Sequence, residues 1–236
     1  MNGEMRHHAE ALEQELKQGE ISLGTTIIAA SFEGGVVLGA DSRTSNGNYV
    51  ANRVTDKLTQ LTDRVFVCRS GSAADTQNLS MYVQHFLHQH SMELDTFVSV
   101  KTAARLATQL TYQNKNMLQA GLIVAGWDQE EGGSVYAVPL GGTLVKVPFS
   151  LGGSGSAYIY GWCDKNWRPS MTADDCRRFV HTAVSHAMAR DGSSGGCIRT
   201  VTITKDGCKR TFTPGSEVPL HHGELQGAAR TMQVSA

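Results

Sequence analysis

The sequence lacks an excess of charge of either sign. Its 236 residues carry 21 Lys and Arg against 22 Asp and Glu, which gives a formal net charge of −1. Proteins that bind nucleic acid or an anionic membrane surface through electrostatics carry a marked basic excess or patch. The balanced charge therefore predicts no nucleic-acid partner and no membrane partner.

Long apolar runs and regularly spaced cysteines are also missing. No run approaches the roughly 20 apolar residues of a membrane-spanning helix, and the first 24 residues contain five Glu without the apolar stretch of a signal peptide. The five cysteines are scattered and never form CxxC. That pattern suits a reducing compartment and argues against a disulfide framework or a zinc ribbon. We expect a soluble intracellular protein.

Hydrophobic patterns predict strands and helices grouped separately along the chain. Residues 25–31 and 36–40 flank a Gly-rich turn and predict a hairpin. Further strands are predicted at 64–68, 122–127, 134–139, 143–147, 198–204 and 209–212. Helical spacing of apolar residues predicts helices at 5–17, 79–90, 103–110 and 172–190. Paired helices between groups of strands favour antiparallel sheets covered by helices over a doubly wound parallel fold.

Three familiar strings do not fit their usual contexts. The GxSxG string at 192–196 follows a predicted helix and precedes a strand, the reverse of a nucleophile elbow. His85, His88 and His90 lie on a predicted helix without HExxH, which favours a solvated helix face over a metal site. The Gly-rich stretch at 152–156 lacks the GK[ST] ending of a phosphate loop. None of the three predicts a function.

A different chemistry is available at Gly24-Thr25-Thr26, between the acidic leader and the first predicted strand. If the Gly24–Thr25 bond is cut, the Thr25 hydroxyl and its free α-amine supply a nucleophile and a base in one residue. An α-amine with a pKa of about 7.7–8.0 is partly neutral at physiological pH. A lysine would stabilise the alkoxide and a carboxylate would orient that lysine, for which Lys57 and Asp41 are candidates. Composition alone favours a buried threonine pair on a strand.

Seven segments, in order along the chain, resemble the proteasome β subunits, which are threonine peptidases of the N-terminal nucleophile hydrolase superfamily. The segments are GTTIIAA (24–30), GGVVLGADSRT (34–44), NRVTDKL (52–58), CRSGSAADTQ (68–77), AGWD (125–128), GGSGSAYIYG (152–161) and RDGSSGG (190–196). Within that family the chain is most similar to the caspase-like β1 type. The resemblance implies an α+β fold, a four-layer αββα sandwich of two antiparallel sheets flanked by helices.

The resemblance also implies roles for individual residues. Thr25 would be the nucleophile after autolysis between Gly24 and Thr25, Lys57 the charged neighbour of its hydroxyl, and Asp41 the partner of Lys57. The proton relay around the α-amine would consist of Ser154, Asp191 and Ser194. The backbone N–H of Gly71 would donate to the oxyanion, a contribution of about 2.7–4 kcal/mol.

Specificity for an acidic residue before the scissile bond is the finer implication. Arg69 lies two residues before Gly71, and alternate residues on a strand share one face. A guanidinium there favours Asp or Glu through charge-assisted hydrogen bonds. The other residues expected to bind substrate are Thr44, Ser45, Thr55, Thr59 and Ala73, with Ser45 replacing the Thr usual in the family.

The implied molecule is a subunit that needs no metal and no organic cofactor. Its partners would be proteasome α subunits and other β subunits in stacked heptameric rings, its substrates unfolded polypeptides, and its location the cytoplasm and nucleus. We expect a propeptide at 1–24, a catalytic domain at 25–214 and a C-terminal tail at 215–236. A non-catalytic β subunit of the same ring and a simpler homo-oligomeric threonine peptidase are the alternatives.

Overall fold

The computed structural model of the chain describes residues 24–46, 49–95, 97–219 and 221. Within them, one antiparallel sheet contains β1 (Ile27–Phe32), β2 (Gly35–Ala40), β10 (Phe149–Gly152), β11 (Ile198–Thr204) and β12 (Gly207–Thr213). Its strand order is β10-β1-β2-β11-β12. The predicted helix at 5–17 lies outside the described residues.

A second antiparallel sheet has the order β5-β6-β7-β8-β9. These strands are β5 (Leu58–Thr62), β6 (Val65–Gly71), β7 (Ala120–Asp128), β8 (Gly132–Val138) and β9 (Val145–Val147). A short pair, β3 (Thr44–Asn46) and β4 (Tyr49–Asn52), stands apart from both sheets.

Two helices cover each sheet. The helices are α1 (Ala73–Leu94), α2 (Val100–Gln113), α3 (Tyr160–Asn166) and α4 (Ala173–Arg190). Ser72, Ser99 and Thr172 precede the three longer helices, and each side chain accepts a hydrogen bond from the backbone N–H three residues on. Such caps satisfy amide groups that a helix leaves unpaired at its start, so the sequence fixes where these helices begin.

The apolar core is divided into three layers of contact. Ile27, Leu38 and Phe66 belong to the cluster between the two sheets. Helices α1 and α2 pack on the outer face of the second sheet, and α3 and α4 pack on the outer face of the first. The arrangement is helix, sheet, sheet, helix, which confirms the predicted four-layer αββα sandwich.

The sequence patterns were less accurate for α1. Leu79, Val83 and Leu87 are buried as predicted, but Tyr82 and Phe86 from the same predicted stripe are 62% and 42% exposed. The buried side of the helix also includes Thr76 and Ser80. Tyr82 and Phe86, four residues apart, lie outside this buried side and are exposed. In the described residues, no helix has the length and apolarity needed to cross a bilayer.

The segment after residue 214 begins by packing against the domain. Val218 is buried in the cluster beneath α4. His221 Nε2 lies 2.9 Å from Ser185 Oγ, and the His221 and His186 rings are 4.1 Å apart. Val218 and His221, in the predicted tail, therefore pack against the domain. The rest of the predicted tail, from residue 222, lies outside the described residues.

Candidate active site

The ends of three neighbouring strands bring Thr25, Asp41 and Ser154 together. Ile27 at the start of β1 pairs with Ala40 at the end of β2 and with Gly152 at the end of β10. Because these strands are antiparallel, the residues just before β1 and just after β2 and β10 meet at one edge of the sheet. Lys57, which precedes β5, reaches the same point from the second sheet.

Thr25, Lys57 and Asp41 form a buried, hydrogen-bonded chain. Lys57 Nζ donates to Asp41 Oδ1 at 2.7 Å and to Thr25 Oγ1 at 3.1 Å. Thr25 Oγ1 in turn donates to the Gly24 carbonyl oxygen at 2.6 Å. The exposed fractions of Thr25, Asp41 and Lys57 are 5%, 1% and 5%. The hydroxyl, the ammonium and the bond before Thr25 are thus in direct contact and shielded from bulk water.

The Asp41 carboxylate is anchored by the backbone as well as by Lys57. It accepts hydrogen bonds from the N–H groups of Thr26 at 2.9 Å, Gly195 at 3.0 Å and Arg43 at 3.2 Å. Burial lowers the pKa of Lys57, and the charge of Asp41 and its hydrogen bond oppose this shift without cancelling it. Lys57 therefore gives up its proton more readily than an exposed lysine.

A second polar network surrounds the backbone nitrogen of Thr25. Ser154 Oγ accepts from that nitrogen at 3.2 Å and donates to Asp191 Oδ2 at 2.7 Å. Ser194 Oγ donates to the same oxygen at 2.6 Å and lies 2.7 Å from Thr26 Oγ1. The structure thus brings together all six residues predicted as catalytic.

Glycine is required at two positions beside this network. Gly71 ends β6 with φ of +102°, and a Cβ there would lie 2.1 Å from the Gln119 carbonyl oxygen. A Cβ on Gly24 would lie 1.9 Å from Ser193 Cβ. At both positions another segment of the chain lies too close to leave room for a side chain. Gly24 and Gly71 therefore allow the close backbone packing beside Thr25.

A pocket opens directly beside the Thr25 hydroxyl. Its lining consists of Gly24, Thr25, Thr44, Ser45, Thr55, Lys57, Arg69, Gly71, Ala73 and Thr76. Thr59, predicted to take part, is absent from this lining and lies in β5 opposite Val67. Thr59 comes two residues after Lys57, which places it about 7 Å further along the strand. Thr76 was missed by the sequence analysis, although it lies one helical turn after Ser72 and its hydroxyl donates to the Ser72 carbonyl oxygen.

Arg69 is a second cation in the pocket wall, besides Lys57. Its Nη2 donates to the Asp56 carbonyl oxygen at 2.6 Å, while its buried Nε has no hydrogen-bond partner among the described residues. Burial lowers the pKa of Arg69, and the charge of Asp56 opposes that shift. Arg69 thus carries a buried donor without a partner on the wall of a pocket whose lining, in the described part of the chain, includes no carboxylate.

This arrangement is suited to nucleophilic attack by a hydroxyl. The buried ammonium favours the alkoxide form of Thr25, and the second network can orient an amine at the Thr25 nitrogen. Within the described part of the chain, no group of three or more His, Cys, Asp or Glu side chains is arranged to hold a metal ion. A hydroxyl beside a buried cation, with a hydrogen-bonding network at the neighbouring nitrogen, is an arrangement that acyl transfer to a side-chain oxygen can use.

Comparison with known proteins identifies relatives over most of the chain. The family model described as "Proteasome subunit" matches residues 21–203. The chain is 58% identical over 205 residues to "Proteasome subunit beta type-6" of Arabidopsis thaliana, covering 87% of this chain and 88% of the relative. It is 51% identical over 195 residues to "Proteasome subunit beta type-1" of Saccharomyces cerevisiae (83% and 90%) and 48% identical over 208 residues to "Proteasome subunit beta type-9" of Rattus norvegicus (88% and 94%).

Proposed function

The chain belongs to the proteasome subunit family, and we propose that it is a threonine endopeptidase of the core particle that cleaves peptide bonds after acidic residues. The observation that carries this proposal is the contact of Lys57 Nζ with Thr25 Oγ1 at 3.1 Å while Lys57 is paired with Asp41. A β subunit that serves only as a structural member of the ring has no need for a buried charge pair beside a hydroxyl.

The first proposed reaction is removal of residues 1–24. Lys57 Nζ lies next to both the Thr25 hydroxyl and, at 3.5 Å, the Gly24 carbonyl oxygen. Its lowered pKa increases the fraction of neutral amine that can accept the hydroxyl proton. Thr25 Oγ1 then bonds to the Gly24 carbonyl carbon, and the Gly24–Thr25 C–N bond breaks as its nitrogen takes a proton. Water hydrolyses the resulting ester and leaves Thr25 with a free α-amine.

The second proposed reaction repeats this chemistry on a substrate. The neutral α-amine of Thr25 accepts the hydroxyl proton, and Oγ1 bonds to the substrate carbonyl carbon. The N–H of Gly71 stabilises the oxyanion and the charge on Lys57 stabilises the alkoxide. The substrate C–N bond then breaks, and the leaving amine takes the proton from the Thr25 α-ammonium, which lies beside Ser154. Water finally hydrolyses the ester on Thr25.

Arg69 supports the proposed preference for acidic residues. Arg69 lines a small polar pocket beside the nucleophile, and its buried Nε has no partner among the described residues. A substrate carboxylate would give that buried donor a partner and would meet a cation, whereas an apolar side chain would leave it unsatisfied.

The proposed partners are α subunits and other β subunits of stacked heptameric rings, and the proposed substrates are unfolded polypeptides in the cytoplasm and nucleus. The relatives described above are all proteasome subunits, which supports assembly. The exposed aromatic residues Tyr82 and Phe86 on α1 support it as well, because aromatic side chains are enriched at the core of protein interfaces.

The experiment that tests catalysis is an intact mass and N-terminal sequence of this subunit from assembled core particles. We expect the wild-type chain to begin at Thr25. A Thr25→Ala variant should keep residues 1–24 and lose cleavage after acidic residues, whereas Thr25→Ser, which keeps a hydroxyl, should be processed. A wild-type chain that retains its leader would favour the structural role.

The preference for acidic residues has a separate test. We expect Arg69→Leu to lower kcat/KM after Glu by roughly 10- to 100-fold, the scale of a hydrogen bond to a charged group, while autolysis proceeds. The same particles should be assayed with matched peptides carrying Glu or Leu before the scissile bond. An unchanged Glu-to-Leu ratio would remove Arg69 from the specificity pocket.

A further inference from the structure

We propose that Arg210, outside the pocket, is a specificity-determining residue that keeps the Asp56 carboxylate away from Arg69. The Arg69 guanidinium is then free to bind an acidic substrate side chain. This inference rests on the proposed function of the Arg69 pocket, and its test is separable from that of Arg69 itself.

Asp56 contacts Arg69 through its backbone and Arg210 through its side chain. The Asp56 carbonyl oxygen accepts from Arg69 Nη2 at 2.6 Å. Its carboxylate accepts from the Leu58 N–H at 2.9 Å through Oδ1 and from Arg210 Nη1 at 2.8 Å through Oδ2. The main chain of Asp56 therefore positions Arg69 while its negative charge is directed to Arg210.

Arg210 is itself held in place. Its Nη2 donates to the Leu58 carbonyl oxygen at 3.1 Å, and its guanidinium carbon lies 5.2 Å from the centre of the Phe66 ring. Arg210 lies on β12, the outer strand of one sheet, while Asp56 and Leu58 lead into β5, the outer strand of the other. The guanidinium thus links the edge strands of the two sheets. It binds the Asp56–Leu58 segment at two points, the Asp56 carboxylate and the Leu58 carbonyl oxygen.

Without Arg210, the Asp56 carboxylate becomes a competitor for Arg69. The charge of Asp56 already acts on Arg69, and Arg69 Nε has no partner among the described residues. A carboxylate that turned toward this nitrogen would satisfy it and cancel the charge that a substrate Glu requires. Selectivity for acidic residues then falls, and the effect appears in substrate binding because Thr25, Lys57 and Asp41 are untouched.

The test compares core particles carrying wild-type subunit, Arg210→Gln or Lys209→Gln. The Lys209→Gln control removes the same charge from the adjacent residue of β12, whose side chain points to the opposite face. We expect Arg210→Gln to lower the Glu-to-Leu ratio of kcat/KM about 3- to 5-fold, the scale of one partly exposed ion pair. The change should lie in KM for the Glu peptide, with kcat and processing at Thr25 unchanged, while Lys209→Gln keeps the wild-type ratio.

Rescue separates competition by Asp56 from simple loss of structure. Asp56→Asn combined with Arg210→Gln removes the competing charge and keeps the backbone carbonyl, so we expect the Glu-to-Leu ratio to return to the wild-type value. Arg210→Lys should recover part of it. An unchanged ratio in Arg210→Gln, or a double variant no better than the single one, would overturn the inference. Failure of Arg69→Leu to alter the ratio would instead overturn the pocket assignment.

Discussion

Two buried carboxylates flank Thr25, and their surroundings differ in kind. Asp41 receives an ammonium and three backbone N–H groups. Asp191 receives two serine hydroxyls and the N–H of Ser193. The first environment holds a charge pair against the nucleophilic oxygen, and the second holds a chain of rotatable protons against the Thr25 nitrogen. In the proposed mechanism the same residue type would therefore serve electrostatic stabilisation on one side and proton transfer on the other.

Asp41→Asn should produce the largest effect, because it leaves the Lys57 ammonium buried without its counterion. Loss of one partner of a buried ion pair costs about 3–5 kcal/mol of folding free energy. Cleavage should fall by roughly 10³-fold, the scale of losing one preorganised electrostatic group. Hydrogen exchange of peptides from β1 and β2 in assembled particles measures the first effect, and peptide hydrolysis measures the second.

The double variant Asp41→Asn with Lys57→Met provides the control. Removing both charges should restore much of the hydrogen-exchange protection, since an apolar side chain of similar length replaces the unpaired ammonium. Activity should stay lost. Recovery of cleavage in the double variant would contradict the role of the charge pair at the nucleophile.

Asp191→Asn should lower both stability and cleavage less than Asp41→Asn does, and it should affect cleavage more than stability. The amide can still bond to Ser154 and Ser194, so we expect a stability loss of only about 1 kcal/mol. Cleavage should fall about 10- to 100-fold, because hydrogen bonds to a charged acceptor are stronger than those to a neutral one. Equal loss of protection in Asp191→Asn and Asp41→Asn, measured by the same hydrogen exchange, would show that the two networks do not differ as described.

Much of this site was predictable because its residues lie in short segments with characteristic sequences. The GTT and GSSGG strings and the pair Asp41 and Lys57 were assigned together through a family resemblance, and the structure places them in contact. Strand and helix periodicity favoured antiparallel sheets covered by helices, and the family resemblance implied the four-layer sandwich. In contrast, β3 is short and polar and all four residues of β4 are exposed, so neither strand has the apolar alternation that predicts a strand.

Contacts made across the two sheets were beyond sequence analysis. Thr76 and Arg210 enter the site or its surroundings through helix placement and sheet edges, which no local pattern encodes. Thr59 was assigned to the pocket wall but lies outside its lining. The alternation of side chains along a strand predicts which face of the sheet Thr59 lies on. It does not predict how far along the strand the pocket extends.

The smallest expected effect is a shift of the pH at which cleavage is lost on the alkaline side. The direction of this shift depends on the sign of the charge that is removed near Lys57. The Asp191 charge raises the pKa of Lys57 and the Arg69 charge lowers it. Because cleavage requires the protonated ammonium, Asp191→Asn should move the alkaline limb of kcat to lower pH and Arg69→Leu should move it to higher pH. Each shift should be smaller than the one caused by removing Asp41, because neither charge is in contact with Lys57. Asp41→Asn, measured on its residual activity, should shift the limb further down than Asp191→Asn. Shifts of the same sign in Asp191→Asn and Arg69→Leu, recorded with a saturating Leu peptide, would mean that a group other than Lys57 sets the alkaline limb.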